Sequence, residues 1–331
     1  MPTHCLHNNG LFGLLIVCLS GLLCGCAPGP ADSQEVAAKG LYSGAFDRNG
    51  NQYVIGSIHH GGSFWDDRGE RLFNWNHQNQ QNSVIVASAI SPEGDWAITA
   101  ESRSLVLWST RSGKAVTYLA TPAEVLSVAL GANGNYALVG TTNNSALLYS
   151  LRQNAVVREL QHGNTVRSVA ISDNGRYALT GSEDTTAVLW NLDNGRPLYS
   201  MQHSDDVQQV ALSPDGRLAL SAAQYDKAII WRTDTGEIVR ELALGAEQLK
   251  RGKRFTAARF NDLGNRLLTG RPDQTVELWD VDQGTRLNYW RLPKRNAWKP
   301  TGAAVIAVSF DPRNGVYHAL AANGFKHRLS Q

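Results

Sequence analysis

From about Leu41 onward, apolar and polar residues alternate over short stretches, and clusters of turn-forming residues separate those stretches. The stretch from Val166 to Trp190 is the clearest. Val166, Ser168 and Ala170 alternate with their neighbours, and Tyr177 and Leu179 take up the pattern again. A period of two predicts strands with one buried face. Asp173-Asn174-Gly175 supplies one hairpin turn and Glu183-Asp184-Thr185 the next. Strands and turns this short leave no room for crossover helices. The class predicted is all-β.

The same pattern returns along the chain. The turn glycine recurs as Gly50, Gly94, Gly134, Gly175, Gly216, Gly264 and Gly315. An aromatic that ends the third strand recurs as Trp65, Trp108, Tyr149, Trp190, Trp231 and Trp279, with His327 read into the seventh place. A unit of about 41 residues cannot bury its own face and must stack on its neighbours. Four strands and one aromatic per unit predict a seven-bladed β-propeller. The last unit holds only three strands, Val305–Phe310, Tyr317–Ala322 and Phe325–Leu329. Gln34–Ala38 is expected to supply the fourth, so that an N-terminal strand completes the last blade and removes two free sheet edges.

These residues resemble the WD-repeat family, whose blades end in Trp-Asp and often open with Gly-His. The resemblance covers roughly residues 36–331, with Leu278-Trp279-Asp280 and Leu189-Trp190-Asn191 as the nearest endings. It implies a hydrogen-bonded brace in each complete blade. In the fourth blade that set maps to His162, Thr180, Asp184 and Trp190. His203, Ser221 and Trp231 match in the fifth, where Tyr225 takes the aspartate's place with Asp226 beside it. The sixth keeps Thr269, Asp273 and Trp279 but has no histidine.

The N-terminus reads as an address. Leu11–Leu23 is a short apolar run of the kind found in secretory signals, too short for a comfortable membrane span. Leu23-Cys24-Gly25-Cys26 resembles a bacterial lipobox, although residues 1–10 carry no Lys or Arg, only His4 and His7. The resemblance implies a signal peptide over 1–25, a lipidated Cys26, a tether over 26–33 and a propeller over 34–331. Ala27 after the acceptor points to the outer membrane and its periplasmic side. The alternatives are an ordinary secreted chain cleaved near Ala27, or a retained anchor.

Composition adds three constraints. All four cysteines lie within the first 26 residues, so a chain beginning at Cys26 has no partner for an internal disulfide. The formal net charge of +2 gives no reason to expect nucleic acid. Basic residues concentrate in two long interblade links, as Lys250, Arg251, Lys253 and Arg254 in one and Arg291, Lys294 and Arg295 in the other. With Trp290 and Trp298 as anchors and His59 and His60 nearby, they form the expected partner-binding face. The bland alternative is that long links are simply solvated.

No His-Glu-x-x-His, Gly-x-Ser-x-Gly or calcium-loop motif is present. The expectation is a non-enzymatic scaffold for unidentified protein partners, joined to the membrane through its lipid, with no cofactor, no metal and no indication of an obligate homo-oligomer. A glycan-, peptidoglycan- or anion-binding module stands as the alternative. Less favoured is a hydrolase or lyase that uses the central channel.

Overall fold

The computed structural model describes residues 27–77, 83–244, 255–296 and 302–331. Its strands form seven four-stranded antiparallel sheets, each built from consecutive strands except the last. Blades 1 to 6 span residues 41–75, 87–120, 125–161, 166–202, 207–241 and 257–291. Blade 7 comprises residues 305–330 and takes Asp32–Glu35 as its outermost strand. The fold is the seven-bladed β-propeller that the repeat predicts.

The turn series has a backbone cause. All seven of its glycines adopt left-handed φ, from 60° at Gly134 to 81° at Gly94, where a side chain would be strained. A second series occupies the hairpin into the outer strand, at Gly69, Gly113, Gly195, Gly236 and Gly284, with Asn154 in the same conformation in blade 3.

One buried face per strand is too few. Tyr53–Ser57 and Ser145–Ser150 are buried along their whole length, because each sheet is covered by a neighbour on both sides. Alternation survives where a strand meets solvent, as in the outer strand Ala115–Ala120. The innermost strands line a central channel of about 540 Å³.

Closure differs from expectation in register. The closing strand is Asp32–Glu35, paired antiparallel with Phe325–Arg328. Val36 and Ala37 leave the ladder; both N–H groups donate to the carbonyl of Gly324, at 2.9 and 3.1 Å. Their side chains instead pack with Leu41, Phe46, Tyr53 and Leu320 in the seam between blades 7 and 1. Two apolar residues that read as strand are a plug.

The seventh aromatic place also moves. Trp190 pairs with Ala178 and Trp231 with Ala219. The equivalent residue in blade 7, paired with Tyr317, is Leu329 and not His327. In blades 1 to 6 a bulge immediately precedes the aromatic. Blade 7 lacks both, and its four outer pairs are regular.

Candidate functional site

The fourth blade carries a complete brace. Trp190 Nε1–H donates to Thr180 Oγ1 at 2.7 Å, and Thr180 Oγ1 lies 2.6 Å from His162 Nε2. Nδ1 of the same ring lies 2.8 Å from Asp184 Oδ2. A neutral imidazole protonated at Nδ1 satisfies both contacts. Burial raises the affinity of Asp184 for a proton, but hydrogen bonds from Thr186, the Gly163 N–H and His162 outweigh it and hold the carboxyl below its usual range.

Blade 5 repeats the brace with one substitution. His203 Nε2 is 2.9 Å from Ser221 Oγ, to which Trp231 Nε1–H donates at 3.3 Å. The carboxylate is Asp226, 3.4 Å from His203 Nδ1, while Tyr225 turns outward and is exposed. Blade 2 holds a brace that the sequence pattern leaves unmapped. There His77 Nε2 is 2.9 Å from Thr99 Oγ1, Trp108 donates to the same hydroxyl at 2.8 Å, and Nδ1 meets Ser104 Oγ at 3.0 Å. Its acidic member is Glu101, where the complete brace of blade 4 has an aspartate. Burial lowers the pKa of His77 and His203 alike.

Blade 6 is braced differently. Trp279 donates to Thr269 at 2.9 Å, and Asp273 sits half-buried in the following hairpin. Beside them Arg271 and Glu277, both fully buried, form an ion pair at 2.6 Å, and Arg286 reaches the other Glu277 oxygen at 2.8 Å. The Arg271 guanidinium also lies over the Phe255 ring, 4.8 Å from its centroid.

The expected partner-binding face is only partly assembled. His59 and His60 are exposed in the hairpin between the second and third strands of blade 1, and Arg291 and Lys294 are exposed at the end of blade 6. Trp290 is no anchor. It belongs to the outer strand of blade 6, is fully buried, packs on Tyr317 with ring centroids 5.2 Å apart and donates to the Ser330 carbonyl at 2.9 Å. Arg295 is also withdrawn from any partner. Its guanidinium donates to the carbonyls of Asn323 and Ala37, pairs with Glu35 at 2.8 Å and covers the Phe325 ring. Lys250, Arg251, Lys253, Arg254 and Trp298 lie outside the described residues.

The channel has one mouth strapped. Arg48, in the first hairpin of blade 1, reaches Asp173 of blade 4 at 3.0 Å and Asp262 of blade 6 at 2.8 Å. Arg259 lies in the wall nearby and donates weakly to Ser309 Oγ and the Phe46 carbonyl. Burial lowers its pKa, with Asp47, Asp173 and Asp262 opposing. Burial likewise raises Asp47 and Asp173. Among the described residues no group of three His, Cys, Asp or Glu could hold a metal.

Residues 154–191 and 195–232 match the family model described as WD domain, G-beta repeat. These two segments of the propeller are WD repeats. No curated protein matches the chain. Each matched segment runs from the outer strand of one blade to the third strand of the next. The repeat is thus one strand out of step with the blade, and the propeller must borrow a strand from its N-terminus to close.

Sequence reasoning places His77 as an interblade histidine but misses its partners Thr99, Ser104 and Glu101, and it misses the buried pair of blade 6 and the strap across the channel. A usable signal existed for the first. Thr99 and Trp108 are 9 residues apart, close to the 10 between Thr180 and Trp190, although His77 stands 22 residues before Thr99 where His162 stands 18 before Thr180.

Proposed function

We propose that this WD-repeat propeller is a non-enzymatic protein-interaction scaffold, held by lipid on Cys26 at the periplasmic side of a bacterial outer membrane. The observation that carries the scaffold reading is where the histidines are spent. His77, His162 and His203 brace blades, His318 pairs with Asp311 at 2.9 Å and His327 holds the closing strand, its Nδ1 2.7 Å from Ser33 Oγ. Groups bound into the framework in this way are poorly placed to move protons for a substrate. The lipobox-like Leu23-Cys24-Gly25-Cys26 supports the anchor. The loops on the face that carries His59, His60 and the interblade links supply a surface for protein partners, with Arg291 and Lys294 at its edge.

Intact mass of the mature protein tests the anchor. An N-terminus at Cys26 with acyl mass is expected, and any other N-terminus removes it. Capture from detergent-solubilised envelope tests the scaffold. Stoichiometric protein partners are expected, whereas retention on isolated sacculi or lipopolysaccharide without them would favour a glycan-binding module.

A further inference from the structure

The chain is fixed to the ring almost as soon as the anchor ends. The carbonyl of Pro28 accepts from the backbone N–H of Arg291 at 3.1 Å, and the Ala31 N–H donates to the Arg328 carbonyl at 2.8 Å. The closing strand begins at the next residue, Asp32. The expected tether over 26–33 is therefore largely bound to the rim where blades 6 and 7 meet. Two residue steps separate Cys26 from Pro28 and span at most roughly 7 Å. The headgroup layer of one leaflet is itself roughly 5–7 Å thick, since a bilayer of ~40–45 Å contains a hydrocarbon core of ~30 Å.

We infer that the rim at blades 6 and 7 rests directly on the membrane, against phospholipid headgroups, so that the disc stands on its edge. The inference rests on the reading that Cys26 carries the lipid. With its acyl chains in the hydrocarbon, Cys26 leaves no slack for the ring to stand clear of the headgroups.

The chemistry of the rim suits an anionic surface. Arg291 and Arg328 flank the point where the chain departs, and Lys294 follows Arg291 three residues on in the link. All three are exposed, and none has an ion-pair partner among the described residues. Glu35 is already neutralised by Arg295, and Asp32, in register with Arg328, is the acid closest to them on the closing strand. Each basic side chain at an anionic surface raises membrane affinity about fivefold, and two together roughly 25-fold. Edge-on docking leaves both faces of the ring standing free, and the rim of blade 2, two blades beyond blade 7 around the ring and with Tyr118 exposed, is turned away from the lipid.

Depth-dependent quenching tests the orientation. Acylation consumes the one cysteine of the mature chain, so an introduced cysteine is uniquely labelled. Leu287→Cys on blade 6, Arg328→Cys on blade 7 and Tyr118→Cys on blade 2 would each carry a fluorophore. The acylated proteins go into phosphatidylcholine vesicles containing phosphatidylglycerol and a headgroup-quencher lipid. Strong quenching at 287 and 328 with little at 118 is expected. The double change Arg291→Glu with Lys294→Glu should reduce quenching at 328 and weaken binding of the unacylated chain to these vesicles by at least tenfold.

Equal quenching at all three positions, or strongest quenching at 118, overturns edge-on docking. The mass of the same preparation reports on the anchor separately. If Cys26 proves unacylated, a lipid is coupled through maleimide to Cys26 of the chain without an introduced cysteine, and the fluorophore enters at 287, 328 or 118 as a non-natural amino acid for the same three-position readout. The placement then stands or falls independently of natural lipidation.

Discussion

The hydroxyl of Ser33 lies 2.7 Å from Nδ1 of His327, which joins the strand that closes the ring to a ring nitrogen fully buried in blade 7. This contact spans nearly the whole chain. It places a titratable group at the propeller's only non-consecutive strand pairing among the described residues, and it makes closure sensitive to acid.

Burial lowers the pKa of His327 to about 4, against ~6.5 for a free histidine. Between these values the unfolded chain binds the extra proton, so stability is fully present above pH 6.5 and is lost as pH falls towards 4. The expected loss at pH 5 is about 2 kcal/mol from this residue. Denaturant titrations at pH 7.5 and pH 5 should show the decline, and His327→Gln should flatten part of it. His77, His203 and His318 shift in the same direction and add to the slope. A His327→Gln protein with an unchanged pH slope would contradict the assignment.

Removing the closing strand should cost more than an anchor. A chain starting at Lys39 lacks the four pairs with Phe325–Arg328 and the Arg295–Glu35 bridge, and it exposes a sheet edge. A fall in melting temperature of several degrees and a rise in aggregation are expected by scanning calorimetry and light scattering. Identical melting of the truncated and full mature chains would show that closure contributes nothing.

In blade 4, Thr180→Val removes the oxygen shared by Trp190 and His162 and strands two buried polar groups. About 1–3 kcal/mol should be lost, and Trp190→Ala should cost about 3–5 kcal/mol. Thr99→Val in blade 2 should resemble Thr180→Val, because Trp108 and His77 share that hydroxyl in the same way. Urea unfolding of the three variants checks the ranking.

Breaking the buried pair of blade 6 should be worse than replacing it. Glu277→Gln leaves the Arg271 guanidinium buried without its carboxylate, and about 3–5 kcal/mol of destabilisation is expected. Arg271→Met combined with Glu277→Leu should recover much of that loss, since both charges leave together. A double variant weaker than the single would show that packing, not charge, dominates the site.

Trp290→Ala should lower stability by about 3–5 kcal/mol while leaving partner association rates unchanged, because the ring is sealed against Tyr317. Kinetics with a captured partner, read beside a melting curve, separate this from the behaviour of an exposed anchor.

Blade number, strand order and the brace of blade 4 are legible because each is written in consecutive residues at fixed spacing. Seven turn glycines and a recurring Thr–Trp interval need no knowledge of what lies across the fold. Arg295 and Trp290 are misread for the opposite reason. Both fall in a charged stretch that reads along the chain as a wet link, and their burial depends on Glu35, Asn323, Tyr317 and Ser330, which only closure brings to that seam. Counting along the chain puts His327 in the seventh aromatic place, whereas pairing with Tyr317 gives that place to Leu329.

By itself, then, the sequence determined an all-β ring of seven units and the chemistry of its best-formed braces, since local alternation and turn geometry are properties of neighbouring residues. Tertiary structure alone decided which side chains of the links are free, where the closing strand begins and how short the route from Cys26 to the rim is. Those follow from contacts between residues as far apart as Glu35 and Arg295. A sequence pattern carries no term for a neighbour that arrives only when the ring shuts.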